Sequence, residues 1–186
     1  MRLFVAINLP ADVREALHAA AAPLREHDAP VQWVAPEAIH LTLKFLGEVE
    51  PEREDAITAA LASVAGGRRA FPLPVGGFGA FPSRTRPRVF WVGTEAVPAL
   101  ELLQHDLERT FADLGFPLEG RPFRPHLTLG RTHKGAERQA RTVGELLDDV
   151  AFEDTVTVES VELMQSRLSP RGASYRARHS ARLGDG

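Results

Sequence analysis

Two four-residue stretches hold the side chains best suited to chemistry: His40-Leu41-Thr42-Leu43 and His126-Leu127-Thr128-Leu129, one phrase written twice, nearly half of the 186-residue chain apart. In a β-strand, side chains alternate between two faces, so His and Thr share one face while the two Leu share the other. Each strand then presents an imidazole and a hydroxyl to one side and buries leucine on the other. An approximate twofold that joins the strands brings two imidazoles and two hydroxyls to one cavity, where one imidazole takes a proton and the other gives one.

Such a pair suits phosphoryl transfer on a phosphodiester or cyclic phosphate. One imidazole deprotonates the attacking water or hydroxyl, and its protonated partner supplies the leaving oxygen. An ordinary imidazole pKa of about 6.5 lets both forms coexist near neutrality. Thr42 and Thr128 are placed to hydrogen-bond the non-bridging oxygens, and a nearby arginine to stabilise charge developing on them. Acid, base and anion-binding groups are then all side chains, so neither a metal nor a cofactor is expected. A metal site on His40 and His126 is the weaker reading, because no obvious third ligand lies in phase with them. A single His-x-Thr is more often structural; two matched copies favour chemistry.

The elements that must position these strands follow from the flanking sequence. Leu3 to Leu9 reads as a buried strand. Pro10-Ala11-Asp12 opens a helix that runs to about Arg25. Val31 to Val34 is a short extended segment between Pro30 and Pro36, and the first motif strand runs from about Ile39 to Leu46. A turn over Gly47 to Pro51 leads to a helix from Glu52 to Val64, stopped by Gly66-Gly67. Phe71 to Phe78 and Val89 to Val92 are strands, joined by an exposed basic loop, Pro82 to Pro87. A long helix covers about Val97 to Leu114, with Gly115 at its end. The second half repeats the plan: the strand His126 to Gly130, a helix near Glu137 to Leu147, and strands over Ala151 to Met164 and Ser174 to Arg182. Interleaved strands and helices predict mixed α and β layers, and the lack of a linker predicts one domain over 1–186 with two lobes packed as a unit.

Composition narrows the classes. A 44% hydrophobic and 25% charged chain is ordinary for a globular protein, and zero Cys removes disulfide scaffolds, thiolate metal sites and cysteine nucleophiles. A cytoplasmic location is expected. The apolar start, Met1 to Ile7, stops at Asn8 and Pro10, too short for a signal peptide's apolar core or a membrane span. Net charge is −3, so no global positive field attracts nucleic acid. Arginine is nonetheless clustered: at Arg84, Arg86 and Arg88, from Arg121 to Arg141, and from Arg167 to Arg182, a stretch with no Asp or Glu. A local phosphate-binding rim is one reading of these clusters and a GC-rich genome is the other, favoured one.

The doubled motif resembles the 2H phosphoesterase superfamily, defined by two His-x-Thr-x motifs, and within it the RNA 2′,3′-cyclic phosphodiesterases, also called 2′-5′ RNA ligases. The resemblance covers nearly the whole chain. It includes Arg2-Leu3-Phe4-Val5-Ala6-Ile7, the extension Lys44-Phe45-Leu46-Gly47, Pro87 to Gly93, Arg121 to Arg131, and Ser166, Gly172 and Tyr175. It implies a bilobal α+β fold with two antiparallel sheets flanked by helices and a cleft between them. It also implies hydrolysis of an RNA-type 2′,3′-cyclic phosphate to a 2′-phosphate without metal, with His40 as proton donor and His126 as proton acceptor. RNA with a cyclic phosphate end, or a small cyclic nucleotide, is the implied partner; no membrane is involved, and a monomer is expected.

Strand phase gives further expectations. Arg131 falls in phase with Leu127 and Leu129, away from His126, whereas the family pattern sets an arginine near the phosphate. A bulge permitted by Gly130 would reconcile the two. Lys44 is in phase with His40 and Thr42, with a solvated role favoured over one at the cleft rim. Phe45, Trp33 and Trp91 are expected in the core rather than as stacking surfaces for a base. The alternatives to hydrolysis are the reverse reaction, joining RNA ends through a 2′-5′ linkage, and a binding module without chemistry, against which the paired proton-transfer groups weigh.

Overall fold

The computed structural model describes residues 1–170 and 172–184, so Arg171 of the arginine-rich stretch lies outside the described residues. The strands are β1 (Arg2–Asn8), β2 (Val31–Trp33), β3 (His40–Glu48), β4 (Phe71–Phe81), β5 (Val89–Thr94), β6 (His126–Thr132), β7 (Glu153–Val158), β8 (Ser160–Ser169) and β9 (Gly172–Arg182). The helices are α1 (Ala11–Ala20), α2 (Ala22–Glu26), α3 (Glu54–Gly66), α4 (Pro98–Asp113) and α5 (Arg141–Glu145). Among these residues no helix is long and apolar enough to cross a membrane.

The sheet runs in the order β7-β4-β5-β6-β3-β1-β8-β9, with β2 also paired to β6 and every pairing antiparallel. Two four-stranded halves meet where β3 touches β6, through one register pair, Leu41 opposite Leu127. The halves of the sheet are not the halves of the chain. β8 and β9, from the C-terminal end, complete the half that holds the first motif; β4 and β5, from the N-terminal half, complete the other. The single strand expected over Ala151 to Met164 is two strands broken at Glu159, because the chain there leaves the β4 edge and crosses to β1. Helices α3 and α4 pack on the first half, against β3, β8 and β9.

The leucines of both motifs are buried in one core that links the halves. The helix expected over Glu137 to Leu147 is shorter, α5 followed by a 3-10 turn, Leu146–Asp148. Gly144 sits inside α5 because a Cβ there would strike the Arg84 carbonyl oxygen at 2.1 Å. The basic loop after β4 is thereby held against this segment, with Arg84 paired to Asp148 at 2.7 Å.

Both motif strands carry a bulge at the same place. In β6, Thr128 faces Trp91 and Gly130 faces Phe90, so Leu129 has no opposite residue. In β3, Thr42 faces Ala6 and Lys44 faces Val5, so Leu43 is the extra one. One extra residue reverses the alternation beyond it. Leu129 and Gly130 therefore both face the core, and Arg131 turns to the face of His126 and Thr128. Likewise Leu43 and Lys44 face inward, and Phe45 turns to the face of His40 and Thr42.

Two expectations are corrected by this bulge. Lys44 is not solvated: it is 5% exposed at the border of the cleft, paired with Glu108 of α4 at 2.8 Å and donating to the Pro117 carbonyl at 3.0 Å. Phe45 is not in the core but 64% exposed. Trp33 does pack on the core, against Phe90 and over Gly130. A Cβ at Gly130 would lie 2.6 Å from the Trp33 ring and 2.9 Å from Val31, so the bulge depends on glycine there. Gly130→Ala should lower the unfolding free energy by about 1–3 kcal/mol, read from denaturant melts. An unchanged midpoint would contradict this packing.

Candidate active site

The pair Leu41–Leu127 fixes the layout of the site. In antiparallel strands the numbers run in opposite directions, so His40 falls across from Thr128 and Thr42 across from His126. The four polar side chains of the doubled motif thus sit corner to corner on one face. His40, Thr42, His126, Thr128 and Arg131 all line one cleft of about 1540 Å³. Every site residue expected from the sequence is therefore brought together there.

Each imidazole is held in the same way. His40 Nδ1 lies 2.8 Å from the Ala38 carbonyl oxygen and His126 Nδ1 lies 2.7 Å from that of Arg124, each two residues upstream. A carbonyl can only accept, so Nδ1 donates its proton in both rings. Nε2 is then the working nitrogen: a base when the ring is neutral, an acid when it is charged.

Rings brace the imidazoles within the cleft. His40 packs against both Phe4 and Tyr175, at centroid distances of 4.9 and 4.7 Å, with those two rings 5.5 Å from each other, and His126 meets Phe81 edge to face at 5.1 Å. Phe81 in turn rests on Trp91, whose ring lies over Gly79, where a Cβ would be 2.3 Å away. Trp91, expected in the core, is instead half-buried on the face it shares with Thr128, packed behind Phe81 and outside the core. Phe4, Phe81 and the Lys44–Glu108 pair escaped the sequence reading. Phe4 sits in a run, Leu3 to Ile7, that is buried on both faces, so alternation gives it no mark.

Burial pushes both histidines below the ordinary imidazole value. The Nδ1 hydrogen bonds to Ala38 and Arg124 oppose that shift by favouring the charged ring, and the nearby Arg131 guanidinium pushes both rings further down. One cation thus acts on both imidazoles. Without an anion in the cleft the neutral forms prevail near neutrality. A bound phosphate group offsets the Arg131 charge and favours protonation of an imidazole beside it.

Among the described residues there is no cluster of three or more potential metal ligands from His, Cys, Asp and Glu. What converges instead is a pair of proton-transfer groups, two hydroxyls and a cation. A two-part antiparallel sheet with this constellation in its cleft defines a phosphoesterase of the two-histidine class.

Comparison with known proteins agrees. The family model described as LigT like Phosphoesterase matches twice in tandem, over residues 7–91 and 92–175. The RNA 2′,3′-cyclic phosphodiesterase of Thermotoga maritima is 31% identical over 187 residues, covering 100% of this chain and 97% of that one. That of Methanothermobacter thermautotrophicus is 32% identical over 177 residues, covering 94% and 95%. Among solved structures, TT0787 of Thermus thermophilus superposes with a TM-score of 0.81 at 30% identity over 100% of both chains. Escherichia coli LigT complexed with 3′-AMP gives 0.76 at 28% identity, covering 98% of this chain and 97% of that one. The chain belongs to the LigT-like phosphoesterase family.

The shared action of Arg131 on both rings is testable. Arg131→Gln should raise the pKa of His40 and of His126, followed by NMR titration of the imidazole protons. A mutant in which neither value moves would place the guanidinium away from the pair.

Proposed function

We propose that this protein hydrolyses RNA 2′,3′-cyclic phosphate ends to 2′-phosphates by two-histidine acid–base catalysis. The observation that carries the reading is the corner-to-corner placement of two Nδ1-locked imidazoles and two threonines, with Arg131 turned onto the same face. The names of the relatives support the substrate class.

In this scheme the cyclic phosphate sits between the two Nε2 atoms. His126 takes a proton from water, whose oxygen bonds to phosphorus. The bond from phosphorus to the 3′ oxygen breaks, and His40, protonated at Nε2, gives that oxygen its proton. The products are a 2′-phosphate and a 3′-hydroxyl. The proton gained by His126 and the one lost by His40 are exchanged with solvent before the next turnover. Thr42 and Thr128 hydrogen-bond the non-bridging oxygens, and Arg131 stabilises the charge that gathers on them. The exposed ring of Phe45, at the position of the first strand that matches Arg131 in the second, offers a face for the terminal base.

The scheme is asymmetric in one respect. Arginine follows only the second motif, so the phosphate is drawn toward β6, which suits His126 as the partner of the attacking water. The reverse reaction would use the same groups, with a 5′-hydroxyl in place of water, and product analysis separates the two.

His40→Ala and His126→Ala should each slow turnover of a 2′,3′-cyclic phosphate substrate by at least about 100-fold, with melting temperature retained. Chromatography against standards should show a 2′-phosphate product from the wild type. Full activity in either variant, or a 3′-phosphate product, would overturn the scheme.

A further inference from the structure

The cleft is larger than a single nucleotide requires. Its volume of about 1540 Å³ exceeds the roughly 300–1,000 Å³ of pockets that hold drug-sized ligands. Its lining is also unusual for a protein surface. Of the four exposed large apolar side chains among the described residues, Phe45, Leu118 and Leu168 line the cleft, and only Leu102 lies elsewhere, on α4. Leu168, at 70%, is the most exposed of them. Water-facing apolar groups gathered at one cleft mark a binding surface.

The register shows what surrounds Leu168. Along β1, Arg2 shares the face of Phe4, which packs with Met164 and Tyr175. Arg2 stands opposite Ser166, Phe4 opposite Met164, and Ser166 opposite Tyr175. Leu168 is two residues beyond Ser166 on the same face, about 7 Å further along the strand. Arg2, Ser166 and Leu168 thus form a patch on the first half of the sheet that continues the floor of the site past Phe4, and all three line the cleft. Arg2 forms no ion pair among the described residues; its cross-strand neighbour Glu48 lies instead against the Met1 amine at 3.4 Å.

A cation held in no ion pair beside an exposed apolar side chain matches the two chemistries of a nucleotide, a phosphate and a base. We propose that Arg2, Ser166 and Leu168 form a subsite for the nucleotide that precedes the cyclic-phosphate nucleotide. Leu168 covers its base, and Arg2 pairs with the phosphate linking it to the terminal ribose. The subsite makes the protein prefer an RNA end over a free cyclic mononucleotide. This inference rests on the cyclic phosphodiesterase reading above.

The test compares kcat/KM for adenosine 2′,3′-cyclic phosphate and for the dinucleotide ApA ending in a 2′,3′-cyclic phosphate, in the wild type, Arg2→Ala and Leu168→Ser. The wild type should favour the dinucleotide at least about fivefold, and each variant should bring that preference below about twofold. The salt dependence adds a second readout that a merely structural role would not produce. In the wild type, log(kcat/KM) should fall more steeply with log salt for the dinucleotide, by about 0.7 per added phosphate contact, and Arg2→Ala should remove the difference. A wild type without dinucleotide preference, or variants that keep it, would overturn the subsite while leaving the mononucleotide reaction intact. Failure of the wild type to open either ring would overturn the underlying reading and the subsite together.

Discussion

One backbone pairing sets the geometry of the whole site. Leu41 opposite Leu127 joins the two halves of the sheet and places each histidine across from the other motif's threonine. It is the one register pair between β3 and β6, and a cleft lies over the polar faces of the two strands. The leucines are buried on the opposite face, where the hydrophobic effect holds the junction closed. The cleft and the core are therefore two faces of the same two strands.

The paired bulges then divide labour between halves that share a backbone plan. Beyond the bulge, the first inward position is Lys44 in β3 and Gly130 in β6; the first cleft position is Phe45 in β3 and Arg131 in β6. Gly130 leaves room for Trp33 and Val31 from β2. Lys44 instead reaches α4, and its partner Glu108 also accepts the backbone N–H of Glu119. The buried pair thereby ties the segment after α4 to the first motif strand, and removing one partner alone would leave a buried charge uncompensated. The result is a near-symmetric pair of imidazoles with an asymmetric surround: a cation beside one motif, an aromatic ring beside the other.

Much of this was legible in the sequence because alternation is a strong signal. The doubled His-x-Thr phrase marked the face that lines the cleft, and the leucines between marked the core. The helix bounds near Ala11, Glu54 and Pro98 followed from proline, acidic residues and apolar spacing. What alternation could not show was where it breaks. A bulge leaves no mark in a run such as Leu43-Lys44-Phe45, so Lys44 and Phe45 were assigned to each other's faces. Arg131 was different, because Gly130 beside it gave a reason to suspect a bulge. Nor could sequence order reveal that β8 and β9 return to the first motif, since such pairings are set by the closing of the sheet rather than by local preference.

The proposed chemistry requires that the two motifs and Arg131 hold one phosphate. The most direct measurement is a crystal structure of the protein with adenosine 2′-phosphate, the product of the proposed reaction. The account predicts the phosphate within hydrogen-bond reach of both Nε2 atoms and of the Arg131 guanidinium. A phosphate bound by one motif alone, or an Arg131 side chain turned to the core face, would contradict it.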